Sequence, residues 1–196
     1  MNKEPHMRTL ILSLALFAST TALAAPAVYD VDPEHTHPLF EADHFNGVSV
    51  WRGLFKKSHG TVTLDKAAGA GTVDIYVDTG SVVTGLDKLD QVLVGKDYFD
   101  SAKYPEARFT GKLGGFKDGA PTVVDGQFTL RGVTRPMQFK ILTFKCVPHP
   151  LYKRDWCGAD VLGSFDRDAF GMDAGKDWGF RMGVTLRIQV EAIVEK

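Results

Sequence analysis

The chain has 196 residues, 44% of them hydrophobic, with 23 Lys and Arg against 24 Asp and Glu and a net charge of −1. That length suffices for one domain with a sizeable core. With no basic block and no sustained Lys/Arg face, nucleic-acid binding and a polybasic membrane patch both lose support.

The N-terminus reads as a leader. Lys3 and Arg8 precede an apolar run from Leu10 to Ala18, and the small residues Ala22 and Ala24 follow. A charged start, a short apolar run and an A-x-A site make a secretory signal peptide, with cleavage expected after Ala24. The run is shorter than the roughly 18 residues that a membrane anchor needs. The expected mature domain is therefore residues 25–196, and it is exported.

Histidines cluster early, at His35, His37, His44 and His59. On an extended chain His35 and His37 share a face, and Asp32, Glu34 and Asp43 offer oxygen ligands. One reading is a metal-dependent enzyme built on His35, His37 and His44; the other is a set of hydrogen-bonded structural histidines. The spacing is not that of HExxH, and no Cys lies nearby.

Alternation then dominates. Val62 and Leu64 alternate with Thr61 and Thr63, and Val73, Ile75 and Val77 alternate with Asp74, Tyr76 and Asp78. Glycines punctuate the gaps. From Gly85 to Phe99 the period changes: Leu86, Leu89 and Leu93 fall at helical spacing among charged residues, which predicts one amphipathic helix inserted between strands.

Alternation resumes in Gly126–Phe139, GQFTLRGVTRPMQF. Phe128 and Leu130 form one dry face, Gly132 supplies the positive φ of a sharp turn, and Pro136 opens the next strand, with Met137, Phe139 and Ile141 facing inward. A short helix or turn is expected at Asp166–Phe170. Val184, Leu186, Ile188 and Val190 form a last alternating strand. Some eight to ten such strands predict an antiparallel barrel or sandwich. An eight-stranded barrel either fills itself with side chains or holds one small ligand.

Cys146 and Cys157 are the chain's two cysteines. In an exported protein an even pair suggests a disulfide; a metal site that also uses His149 is the competing reading. No Ser lies in a G-x-S-x-G elbow, and there is no P-loop or dinucleotide fingerprint. Paired acids such as Asp166 and Asp168 are ordinary for hydrated turns. Arg131, Asp166 and Arg167 stand at strand ends beside apolar residues, as surface ion pairs or as polar groups at a pocket mouth.

Four blocks in fixed order carry a resemblance. They are YDVDPEHTHPLFEADHF (29–45), VDTGSVVTG (77–85) continuing to DYFDSAKYPEARFTG (97–111), LRGVTRP (130–136) and FDRDAFGM (165–172). Together the sequence resembles the YceI-like family of exported, lipocalin-like proteins that bind polyisoprenoids. One departure stands out: where family helices carry a His-Leu-Arg-Ser-like run, this chain has Val92, Leu93, Val94 and Gly95. The mouth of its pocket is expected to be more apolar.

The resemblance implies an all-β, mainly antiparallel, extended eight-stranded barrel in the periplasm, without catalysis or a catalytic cofactor. Its ligand would be a long isoprenoid lipid, with ubiquinone preferred, or another long-chain amphiphile. The Cys146/Cys157 pair resembles that of a disulfide-containing Gram-negative subset. The expected tunnel wall takes Phe40, Phe45 and Phe55 from the first strands, and Val73, Ile75 and Val77 from a middle strand. Leu89, Leu93 and Phe99 come from the helical segment. Phe109, Phe128, Leu130, Met137 and Phe139 follow, then Phe165, Leu186 and Ile188. His35, His44, Asp90, Arg131 and Asp166 are the candidates for a polar mouth. Monomer, homodimer and transient membrane contact are all compatible with this reading. A stress-response interaction protein with a filled core is a further alternative.

Overall fold

A computed structural model describes residues 25–195, so the expected leader, residues 1–24, lies outside the described residues. The elements in chain order are β1 (Ala27–Val31), β2 (Leu39–His44), β3 (Ser49–Phe55), β4 (Ser58–Asp65), β5 (Ala70–Asp78) and β6 (Val82–Val83). Helix α1 (Asp87–Leu93) follows, then β7 (Glu106–Gly114), β8 (Val123–Leu130), β9 (Val133–Pro148), β10 (Asp155–Asp166) and β11 (Gly183–Val194). Pairing runs β1–β4–β5–β7–β8–β9–β10–β11, and β11 returns to β1, which closes an antiparallel barrel of eight strands. Closure removes the unpaired edges that an open sheet would present.

The remaining strands explain the elongation. β11 pairs with β1 through Ala192–Val194 and with β2 through Val184–Arg187. β1 and β2 are thus one strand, interrupted at residues 32–38. β3 and β4 are likewise one strand broken at Lys56–Lys57, and β5 and β6 one strand broken at Thr79–Ser81. The three breaks lie side by side. Beyond them β6 pairs only with β3, and α1 with its following loop occupies the space between β6 and β7.

Buried hydroxyls hold this level together. Thr36, only 1% exposed, accepts the Glu191 N–H at 3.1 Å and donates to the Glu191 carbonyl at 3.3 Å. Its side chain thereby stands in for a strand partner where β1 and β2 part. Ser58 Oγ donates to the Thr36 carbonyl at 2.7 Å, and Thr79 Oγ1 donates to the Tyr104 carbonyl at 2.8 Å. The Phe55 N–H reaches the Pro38 carbonyl (2.9 Å) and the Lys56 N–H the Ser81 carbonyl (3.1 Å). The broken backbones are satisfied internally, as buried polar groups must be.

The expected hairpin is present. Arg131 and Gly132 form its two-residue turn with φ values of 51° and 74°, both positive, as the tightest hairpin turns require. Pro136 is the fourth residue of β9 rather than its first. It faces Gln127 in a pair whose N–H points away from β8, so the missing donor costs the hairpin nothing. The β9–β10 ladder, on that other side, stops at Lys140 and Leu162. A bulge at Leu142 shifts β9 by one residue, so that Met137, Phe139 and Ile141 face inward before it, and Phe144 and Cys146 after it. Cys146 therefore sits directly opposite Cys157, and the two form the expected disulfide.

The helix is shorter than expected. It covers seven residues rather than the span 85–99, because the chain turns at Gly95, whose N–H returns to the Val92 carbonyl. Leu93 is buried, whereas Leu86 and Val92 are exposed. The expected turn at Asp166–Phe170 is a 3₁₀ helix at Arg167–Phe170.

Replacing Thr36 with Val strands the Glu191 N–H in the wall and is expected to cost about 1–3 kcal/mol in urea unfolding, with Thr36→Ser recovering most of it. An unchanged unfolding midpoint for Thr36→Val would show that the hydroxyl does not hold the breaks.

Candidate ligand-binding cavity

The inward residues of the barrel do not meet. They surround a cavity of about 440 Å³, within the range of roughly 300–1,000 Å³ that holds a drug-sized ligand. Its wall is almost wholly apolar, because each strand presents one face inward. β5 contributes Val73, Ile75 and Val77, and β11 contributes Val184, Leu186, Ile188, Val190 and Ala192.

Glycines let the aromatic rings lie back against the wall. A Cβ on Gly53 would lie 2.5 Å from the Phe40 ring, one on Gly126 2.6 Å from Phe109, and one on Gly163 2.7 Å from Phe139. Each ring occupies the space that a neighbouring side chain would take, which leaves the axis open.

The two ends differ. At the end where β1 begins, the lining residues Tyr29, Leu64, Pro121, Cys157 and Ala192 are all buried, so this is the floor. Tyr29 is anchored there: its hydroxyl donates to Asp155 at 2.7 Å, and Asp155 also takes the Lys66 ammonium at 2.6 Å. Burial first, then the Asp155 carboxylate, pushes the Tyr29 phenol far up. At the α1 end, Leu86 lines the cavity while 48% exposed, and the lining residues Asp43, His44, Trp51 and Phe180 are partly exposed. This end is the mouth.

Most of the expected wall residues line the cavity: Phe40, Phe55, Val73, Ile75, Val77, Leu89, Leu93, Phe99, Phe109, Phe128, Leu130, Phe139, Phe165, Leu186 and Ile188. Two do not. Phe45 lies in the β2–β3 turn with a φ of 50° and is exposed, and Met137 faces inward but lies against Gly163 beside Phe139 without lining the cavity.

Of the five expected mouth residues, His44 alone lines the cavity, edge-on to the Phe45, Trp51 and Phe180 rings. Asp90 accepts from the Thr84 N–H and hydroxyl, both at 2.7 Å, and so clasps the start of α1. Arg131 donates to the Tyr98 and Gly171 carbonyls at 2.7 and 2.9 Å and ties the hairpin turn to two loops. Asp166 ends β10 without lining the cavity, and His35 is exposed on the outer wall.

Of the two readings open for Arg167, a surface ion pair or a polar group at the pocket mouth, the second describes it: it is 7% exposed and lines the cavity. Its Nη1 and Nη2 donate to the Met172 and Ala174 carbonyls, each at 2.6 Å, and the guanidinium lies 5.8 Å from the centre of the Tyr98 ring. Burial lowers its pKa. Trp51, Tyr98 and Phe180 were also absent from the expected wall. The first lies between Val50 and Arg52, where apolar and polar residues do not alternate cleanly, and the other two lie in loop segments whose direction alternation does not encode.

The early histidines do not form a joint site. His35 Nδ1 lies 2.7 Å from Asp32 and 3.9 Å from Glu191, a trio of ligating side chains in which His35 is exposed and the two acids are half-buried. His44 belongs to the aromatic mouth, and His37 Nδ1 is buried without a partner among the described residues. The metal-enzyme reading on His35, His37 and His44 lacks the geometry it requires.

A closed antiparallel eight-stranded barrel around an apolar cavity, open at one end, defines a lipocalin-like binding fold. The chain belongs to the YceI-like family: residues 29–192 match the YceI-like domain. Protein YceI of Escherichia coli O6:H1 is 35% identical over 129 residues, covering 65% of this chain and 66% of that protein. A protein of Pseudomonas savastanoi pv. phaseolicola is 33% identical over 138 residues, 70% of this chain and 71% of its own. Among solved structures, Burkholderia cenocepacia BcnA superposes with a TM-score of 0.65 at 20% identity, covering 82% of this chain and 98% of that one. A polyisoprenoid binding domain from Saccharophagus degradans superposes with a TM-score of 0.64 at 16% identity, covering 86% and 99%.

Two measurements check this geometry. Gly163→Ala is expected to lose about 1–3 kcal/mol by overpacking against Phe139. Gly158→Ala, whose Cβ meets nothing closer than 3.8 Å, should lose less; equal losses would mean that the rings do not rest on glycine. The hydrogen bond to Asp32 raises the pKa of His35 above its ordinary 6.5. The protonated form is favoured, so the pair stabilises the fold fully below 6.5 and loses that effect as pH rises through the raised value. NMR titration should show the raised value falling back in Asp32→Asn.

Proposed function

We propose that this protein is an exported, periplasmic binding and carrier or storage protein for a long isoprenoid lipid. The observation that carries the reading is the enclosed apolar cavity with its single mouth region and its few polar lining groups. A polyisoprenoid binding domain shares the fold, and the apolar run before Ala24 supports export. Burying apolar carbon is worth about 0.8 kcal/mol per CH₂, so a polyprenyl tail gains heavily by leaving water for such a bore. The tail has no polar atoms, and the wall needs none except near the head group. A polyprenyl quinone such as ubiquinone, or its precursor, is the preferred ligand; its ring carbonyls match the donors near the mouth. No catalytic step is assigned. The reading of a filled core does not describe a barrel with about 440 Å³ left open.

Loading from a bilayer fits the mouth end. Val48 is 80% and Trp178 73% exposed, and Phe45, Val50, Leu86 and Val92 are exposed as well. Aromatic and apolar side chains of this kind settle at membrane–water interfaces. Transient contact through this rim is part of the proposal, with either a monomer or a homodimer as the working unit.

Organic extraction of the protein purified from a periplasmic fraction, followed by mass spectrometry, should yield an isoprenoid lipid at close to one per chain. Repeated recovery of protein free of long-chain lipid, with no uptake of ubiquinone in vitro, would overturn the reading.

A further inference from the structure

A cation inside a greasy cavity demands an explanation. Arg167 is buried, and among the described residues no carboxylate lies within ion-pairing distance of it. Isolating a charge in this way is unfavourable unless something compensates it. Two carbonyls, of Met172 and Ala174, take one Nη each. The other N–H donors of the guanidinium have no acceptor among the described residues, and the group borders the cavity. The Tyr98 ring and the Met172 carbonyl stand beside it, and Asp168 and Asp173 act on it only from beyond ion-pairing distance, Asp168 being taken up by Lys176 at 2.6 Å.

We propose that Arg167 is the head-group anchor of the cavity, and that it selects long-chain amphiphiles whose head presents an acceptor oxygen, an ionised carboxylate above all. The two loop carbonyls fix the plane of the guanidinium, so its free edge is preorganised before the ligand arrives. An acceptor oxygen there replaces water with a charge-assisted hydrogen bond in a low-dielectric setting. A hydrocarbon end offers nothing in exchange for that water. A carbonyl head ranks between the two, because it accepts the bond without balancing the charge. Arg131 is not available for this role: it does not line the cavity, and its Nη1 is shared between the Tyr98 and Gly171 carbonyls.

The inference rests on the lipid-binding reading, and one experiment separates the two. Geranylgeranoic acid and the hydrocarbon phytane are titrated into the lipid-stripped protein at neutral pH. The acid should bind about 10–100-fold more tightly, and in Arg167→Met the ratio of the two affinities should fall towards one, with Arg167→Lys restoring part of it. Because a ratio is read, a general loss of affinity in a variant does not imitate the result. In the wild-type protein, the Arg167 Nε–H NMR signal should move with the acid and not with phytane, which tests the anchor even if Arg167→Met does not fold. Equal affinities for both probes, an unchanged ratio in Arg167→Met, or a silent Nε–H signal with the acid bound would overturn the anchor and leave lipid binding intact. If neither probe binds, both readings fall.

Discussion

The requirement that β11 be paired along its whole outer edge governs this barrel. β1 covers one end of that edge and β2 the other, and neither reaches the middle. Thr36 fills the gap by giving its hydroxyl to both the N–H and the carbonyl of Glu191. Together with the Asp32 N–H, which reaches the same Glu191 carbonyl at 2.8 Å, that bridge carries the closing seam across the gap between β1 and β2. The same interruption recurs in the next two strand lines, where Ser58 and Thr79 tie the broken backbone to the chains beside it. Because all three breaks lie at one level, the barrel is continuous at its floor and opens beyond them, and α1 occupies the opening.

The proposed function rests on where polarity is placed. Strand alternation keeps charge on the outer surface, where pairs such as Asp74–Arg108 lie in water. Such exposed pairs contribute little to stability. Aromatic rings resting on Gly53, Gly126 and Gly163 keep the wall apolar without filling the axis. Tyr29 at the floor and Thr36 and Thr79 at the breaks donate their hydroxyls to the protein itself, whereas Asp43, His44, Thr84, Tyr98 and Arg167 line the cavity towards the mouth. A ligand with a long apolar tail and a small polar head matches this asymmetry in both its parts.

Much of this was legible in the letters. The alternation of Val73, Ile75 and Val77, the Arg131–Gly132 turn and the pairing of Cys146 with Cys157 are all found where the sequence reading put them. Periodicity reports which side chains share a face, and so most of the wall was accessible to it. What it cannot report is where a strand line is interrupted: Thr36, Ser58 and Thr79 are ordinary polar letters whose burial depends on three distant segments. Arg131 and Asp90 were misplaced for a related reason. A polar residue near a strand end has several backbone partners within reach, and only the folded loops decide among them. Arg167 is left by its acidic neighbours between a surface ion pair and a mouth group, although Phe165 and Phe170 on either side give its turn an inward face. The helix was overextended because Val94 continues its apolar pattern, while Gly95 ends it.

The central claim is an oriented bore, with the head at the α1 end and the tail directed to the floor. A stearate carrying a nitroxide at its methyl end tests that orientation directly, because the label broadens NMR signals close to it. With the probe bound, the account predicts strongest broadening at Tyr29, Leu64 and Ala192, and little at Trp51 and Leu86. The reverse pattern, or broadening confined to the outer surface, would contradict it.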